Sequence, residues 1–211
     1  MQSDDLHKFR ASLEMAVEAF GIEPLSGAQY DLLARHYSMM CRWNRRINLT
    51  RIIDPDDAAR FHYAESLFGA RFLGDARTVL DIGSGAGFPG VPLAVLCSDV
   101  QVTALEANNK KALFLNEVRE EIRLANFAVL RSRIEQFDCT GYDLLTCRAL
   151  DRAEDILPPI VQRLSPSQRL MLYCSRDLIQ KLAKDSTTKH TSTIHQIPQT
   201  SSRIIAMLSR E

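Results

Sequence analysis

Two hydrophobic periods divide the chain. Before Ala76, apolar side chains recur every three to four positions, the spacing of one helix face. Leu33, Tyr37, Met40, Trp43 and Ile47 follow Ser26, which pairs with Gln29 three residues on as a capping box. A second helix start is written as Asp54-Pro55-Asp56-Asp57, an N-cap acid, a proline at the first helical position and acids at the positive helix end. Residues 1–75 are therefore expected to form an N-terminal helical extension, and residues 76–211 a second unit packed with it.

From Thr78 the period shortens. The runs TVLDI, VQVTAL, FAVLR, YDLLTC, RLMLY and RIIAML are short and apolar, and helical patterns at 110–122 and 153–164 separate the earlier ones. Strands alternating with helices predict right-handed βαβ units and a parallel sheet covered on both faces. Residues 185–202 are rich in Ser and Thr and read as a loop region with at most a short strand near 192–197. The link from that strand to the one at 203–208 is too short for a crossover helix, so the sheet should end in an antiparallel pair. About seven strands are expected.

Composition narrows the class. With 45% hydrophobic and 25% charged residues the chain matches an average soluble domain. No apolar run approaches the ~18–20 residues of a bilayer span, and the acids in MQSDDLHKFR do not fit a secretory leader, so a cytoplasmic protein is expected. Equal numbers of basic and acidic residues, 26 each, exclude a globally basic coat but leave room for a local patch. Cys41, Cys97, Cys139, Cys147 and Cys174 form an odd set without C-x-x-C spacing, which suggests reduced thiols and no metal site.

The chemistry centres on 79–90, VLDIGSGAGFPG, a strand running into a glycine-rich turn and then a helix marked by Pro89. Open α/β sheets bind ligands at the carboxyl ends of their strands. Gly83, Gly85 and Gly87 give G-x-G-x-G, whereas Gly85, Gly87 and Gly90 give the G-x-G-x-x-G of dinucleotide enzymes. Asp81 separates the two: a carboxylate beside the turn would repel a pyrophosphate, but it favours the cationic, phosphate-free S-adenosylmethionine. Glu106, about 20 positions past the turn at the end of the next strand, is placed to bond ribose hydroxyls.

These residues resemble the bacterial small-subunit ribosomal RNA guanine-N7 methyltransferases, formerly called glucose-inhibited division protein B. Asn48-Leu49-Thr50 resembles the family signature after the N-terminal helices, and His62 with Glu65-Ser66-Leu67 its H-x-x-D-S-L, with Glu for Asp. The DIGSGAGFPG at 81–90 matches closely, including the Phe-Pro-Gly. EANNKKALFL at 106–115, Arg133-Ile134-Glu135 and Thr146-Cys147-Arg148-Ala149 take the places of further family segments. The resemblance implies a class I S-adenosylmethionine-dependent, Rossmann-like fold. It also implies cofactor contacts from Gly83 and Phe88, from Glu106 to the ribose and from Ile134 and Glu135 around the adenine, with Arg148 facing the same crevice. The expected reaction is methyl transfer to guanine N7 of 16S ribosomal RNA, on free RNA or on the small subunit, by a monomer without membrane attachment.

Departures concentrate late in the chain. Cys174-Ser175 stands where the family has Lys-Gly, and Arg203 is followed by Ile204 where it has Arg-His. Other readings therefore stay open: methylation of another RNA or a small molecule, an RNA-binding relative without catalysis, and, third, a nicotinamide oxidoreductase. Arg42, Arg45, Arg46 and Arg51 form the best basic cluster and, with Lys110 and Lys111, are candidate RNA contacts or solvated surface charges. Trp43 is expected in the core, and His62 as a structural histidine or a site residue. No general base is expected, because guanine N7 carries no proton.

Overall fold

A computed structural model describes residues 3–148, 153–184 and 190–210. Ala149 and the segment 185–189, on which parts of the sequence reading fall, lie outside the described residues. Helices α1 (Ser3–Ala19) and α2 (Gly27–Asn44) open the chain, and the Ser26–Gln29 capping box is present at α2. Asp54 caps α3 (Pro55–Asp57) by accepting from the amides of Asp56 and Asp57. That turn continues into a π-helical stretch (Ala58–Ala64), α4 (Glu65–Phe68) and a 3-10 turn (Gly69–Phe72). The π-helical turn, a geometry that recurs at functional sites, was not legible from periodicity.

The sheet holds seven strands: β1 (Thr78–Ile82), β2 (Gln101–Leu105), β3 (Phe127–Leu130), β4 (Leu144–Arg148), β5 (Arg169–Ser175), β6 (His190–Gln196) and β7 (Arg203–Arg210). Their order is β3-β2-β1-β4-β5-β7-β6. The first five are parallel, and β7 runs antiparallel to both β5 and β6. Helices α5 (Gly90–Leu96), α6 (Asn109–Glu121), α7 (Ala153–Arg163) and α8 (Arg176–Lys184) cover the faces. β6 begins two residues before the expected strand, and α8 was not assigned from the sequence although Leu178, Ile179 and Leu182 mark its apolar side.

Alternation along β1 sorts side chains to the two faces. Val79 joins the cluster built with α1, α2, α5 and α6, while Leu80 and Ile82 join the one built with α7 and α8. The first cluster also contains Phe9, Tyr37 and Tyr63, so the helical N-terminus shares one core with the sheet. Phe9 stacks on Tyr37 at 4.2 Å, and each such buried ring contributes roughly 1.5–3 kcal/mol. Trp43 sits half-buried with its ring edge on Phe114 at 5.7 Å, the packing role expected of it. Among the described residues no helix is long and apolar enough to cross a membrane.

Strand order reverses between β1 and β4, since the chain first builds outward through β2 and β3 and then returns to the other side of β1. A crevice opens at the carboxyl ends of the strands at such a point. The glycine turn and Arg148 both lie there.

Candidate functional site

The turn after β1 is braced from behind. Asp81 is fully buried, and its Oδ2 accepts from Ser84 Oγ at 2.5 Å and from the Gly90 amide at 3.0 Å. A Cβ on Gly90 would come within 2.6 Å of that oxygen, so glycine is required where α5 begins. Asp81 Oδ1 has no partner among the described residues. Burial raises the Asp81 pKa to about 7, against the pull of its two hydrogen bonds.

Glu106 closes the turn from β2. Its Oε2 accepts from the Gly85 amide at 2.9 Å and its Oε1 from the Asn108 amide at 2.7 Å. Asn108 in turn caps α6, accepting from the amides of Lys110 and Lys111. Each carboxylate oxygen keeps a lone pair for a further donor. Gly87 serves packing instead: at φ 92°, a Cβ would meet Val91 at 2.7 Å and His36 Nε2 at 3.2 Å. His36, fully buried in α2, holds the Ala86 carbonyl at 3.0 Å and the Tyr63 hydroxyl at 2.8 Å. Burial keeps its pKa down at about 4.

Two adjoining cavities share Gly83 and Lys111. The smaller, about 210 Å³, is lined by Glu106, Ile134 and Glu135 among others. The larger, about 500 Å³, is bordered by Gly85, Phe88, His62, Arg148, Arg51 and Arg203, among others. His62 and Phe88 form a stacked pair at 4.5 Å. Burial, reinforced by the Arg148 cation, lowers the His62 pKa to about 3, so the ring is neutral.

Arg148 is held from the N-terminal layer. It donates to the carbonyl oxygens of Phe61 and His62 and to Ser66 Oγ, and pairs with Glu65 at 3.3 Å. Glu65, with only 2% of its side chain exposed, also pairs with Arg203 at 2.8 Å. One buried carboxylate thus bridges two guanidinium groups from β4 and β7. Removing Glu65 would leave the buried Arg148 guanidinium without its carboxylate, a loss of the kind that costs about 3–5 kcal/mol in a buried pair.

The structure therefore brings together Gly83, Gly85, Phe88, Glu106, Ile134, Glu135, Arg148, Arg51 and Lys111 around one crevice. Asp81 and Gly87 stand behind the turn, outside the lining of either cavity. Lys110, Arg45 and Arg46 are exposed, outside the lining of both cavities, and Arg42 pairs with Glu117 at 2.9 Å. Cys174 and Ser175 line the larger cavity, whereas Ile204 is buried in β7. The Glu65 bridge and the His36 clamp were not read from the sequence. An acid within the apolar AESLF was the available signal for the first.

The sheet order, the glycine turn and the paired cavities define a class I methyltransferase-type fold. Solved structures with that architecture include a putative O-methyltransferase from Klebsiella pneumoniae, with a TM-score of 0.62 and 17% identity over 97% of this chain and 98% of that one. Another is a putative methyltransferase from Streptococcus mutans in complex with SAH, with a TM-score of 0.52 and 15% identity over 68% of this chain and 96% of that one. The model of the family rRNA small subunit methyltransferase G matches residues 29–204, and the chain belongs to that family. A relative of that name from Stutzerimonas stutzeri is 40% identical over 63% of this chain and 62% of its own length. One from Ralstonia nicotianae is 34% identical over 81% of this chain and 80% of its own. The chain thus spans just under two thirds of the Stutzerimonas relative and four fifths of the Ralstonia relative.

Proposed function

We propose that this protein transfers the methyl group of S-adenosylmethionine to N7 of a guanine in 16S ribosomal RNA, acting as a cytoplasmic monomer. One observation carries the reading: two adjoining cavities at the topological switch point, the smaller lined by Glu106, Glu135 and apolar side chains together with Lys111 and Arg133, the larger by Arg51, Lys111, Arg148 and Arg203 around Glu65.

The donor set fits the cofactor. Glu106 is buried and keeps free lone pairs beside the smaller cavity, as a ribose diol requires, and Ile134 offers an apolar edge to an adenine. When bound, S-adenosylmethionine supplies an electrophilic methyl group on a sulfonium. Gly83 and Gly85 allow backbone approach, and Glu135 borders the base. Asp81 acts through the turn rather than by contact, since it braces Ser84 and Gly90. In the larger cavity the His62–Phe88 pair gives a flat wall for a purine, while Arg51, Lys111 and Arg203 are placed for phosphate. Arg148, fixed by Glu65, orients the acceptor.

The test uses ribosomal particles from cells lacking the gene, incubated with the protein and methyl-labelled cofactor, followed by mapping of the labelled base. Label at N7 of one guanine in 16S RNA is expected. Label elsewhere, or binding of RNA without label, overturns the reading.

A further inference from the structure

Thr50 lies in the loop between α2 and α3 and lines the larger cavity. Its Oγ1 is 3.1 Å from the Ile52 amide, which donates to it, and 2.9 Å from His62 Nε2. The direction of the second contact is set on the far side of the ring. His62 Nδ1 faces Arg148 Nη2 at 3.5 Å, and a guanidinium has only protons to offer. A proton on Nδ1 would point N–H at N–H. The ring is neutral and carries one proton, so that proton sits on Nε2. The ring, whose proton the Ile52 carbonyl also attracts, and the Ile52 amide therefore face both lone pairs of the hydroxyl. Its own proton has no acceptor among the described residues, and Thr50 stands in the wall of the cavity.

We infer that the Thr50 hydroxyl donates to the oxygen at C6 of the guanine being methylated and so discriminates guanine from adenine. The inference rests on the methyl-transfer reading above. The purine edge that presents N7 carries an acceptor oxygen beside it in guanine and a donor amino group in adenine. A hydroxyl whose lone pairs are filled cannot exchange roles, so it is satisfied by guanine and meets adenine proton against proton. Two of the four lining cations are already engaged, Arg148 by Glu65 and backbone carbonyls and Arg203 by Glu65, and Arg51 and Lys111 are assigned above to phosphate. A polar group lost from such a site costs much more than a lost methyl group.

The test compares the parent with Thr50→Val and Thr50→Ser on 16S RNA ligated from segments, with guanine, adenine or 2-aminopurine at the mapped position. 2-Aminopurine has hydrogen where guanine has oxygen. The parent is expected to lose roughly 10–100-fold in kcat/KM from guanine to 2-aminopurine, as for one hydrogen bond in a dry site. Thr50→Ser should keep that ratio, and Thr50→Val should bring it near one by losing activity on guanine. Thr50→Ala is read instead if the valine variant does not fold. An active parent whose base ratio survives in the donor-free variant overturns this inference alone. So does a loss confined to KM for S-adenosylmethionine. A parent inactive on every guanine RNA removes the methyl-transfer reading and this inference together.

Discussion

Glu106 accepts a hydrogen bond from the Gly85 amide at 2.9 Å, so the acid that ends β2 and the turn that ends β1 form one unit. Glu106→Ala removes the acceptor proposed for the ribose together with this brace. Losing charge-assisted bonds of ~1.5–3 kcal/mol should weaken S-adenosylmethionine binding by roughly 10–100-fold in titration calorimetry, with the circular dichroism spectrum of the fold retained. Unchanged affinity in a folded variant would remove Glu106 from the site.

Asp81 makes stability depend on pH in an unusual direction. Its folded pKa, about 7, lies above that of a free carboxyl, so between about pH 4 and 7 the folded chain holds a proton that the unfolded chain releases. Its contribution is fully present below the unfolded value and is lost as pH rises through the folded one. Raising pH from about 5 to 8 should cost the parent about 2–3 kcal/mol more than Asp81→Asn in urea unfolding. Parallel pH curves for the two proteins would refute the assignment.

The outcome at Asp81 shows where the sequence stops being readable. Its position at the end of β1 follows from the apolar run before it and the glycines after it. Its role does not, because the brace depends on how α5 returns the Gly90 amide beneath the turn. The parallel strands were legible for the same local reason, as short runs such as TVLDI and RLMLY between helical patterns. Glu65 is the opposite case. Its two partners come from β4 and β7, and only the closed sheet brings them to one carboxylate. Helix α8 is short, and its apolar positions adjoin a Ser/Thr-rich stretch whose composition dominated the reading.

The arginine cluster splits by its surroundings. Arg45, Arg46 and Arg51 are exposed, and Arg51 borders the larger cavity, whereas Arg42 is paired with Glu117. If the cluster contacts RNA phosphate, replacing Arg45, Arg46 or Arg51 by Gln should each reduce the salt dependence of RNA binding by about one ion. Arg42→Gln should reduce it by less, since that charge is already compensated. The measurement is the slope of log affinity against log salt, and slopes equal to the parent's in all variants would leave the cluster as a solvated face.

If guanine N7 is the acceptor, as proposed, the site's ionisable groups argue that methyl transfer proceeds without a general base. Guanine N7 has an in-plane lone pair and no proton, so attack on the sulfonium methyl needs no deprotonation. Among the described residues, the larger cavity also holds no group suited to accept a proton near neutrality. His62 is buried with its pKa lowered to about 3, and burial pushes the Cys174 thiol up to about 12. Both Glu65 oxygens are taken by guanidinium groups, and Arg148 cannot accept a proton. Asp81, which titrates near 7, is behind the turn and outside the cavity lining. Catalysis then rests on positioning and on a site shaped for the charge that passes from sulfur to the base. Single-turnover rates at saturating RNA and cofactor should be level between about pH 6 and 9, in the parent and in Asp81→Asn alike. A rate that climbs tenfold per pH unit to a plateau, with that limb abolished by one His, Asp or Glu substitution that spares binding, would establish a base and overturn this mechanism.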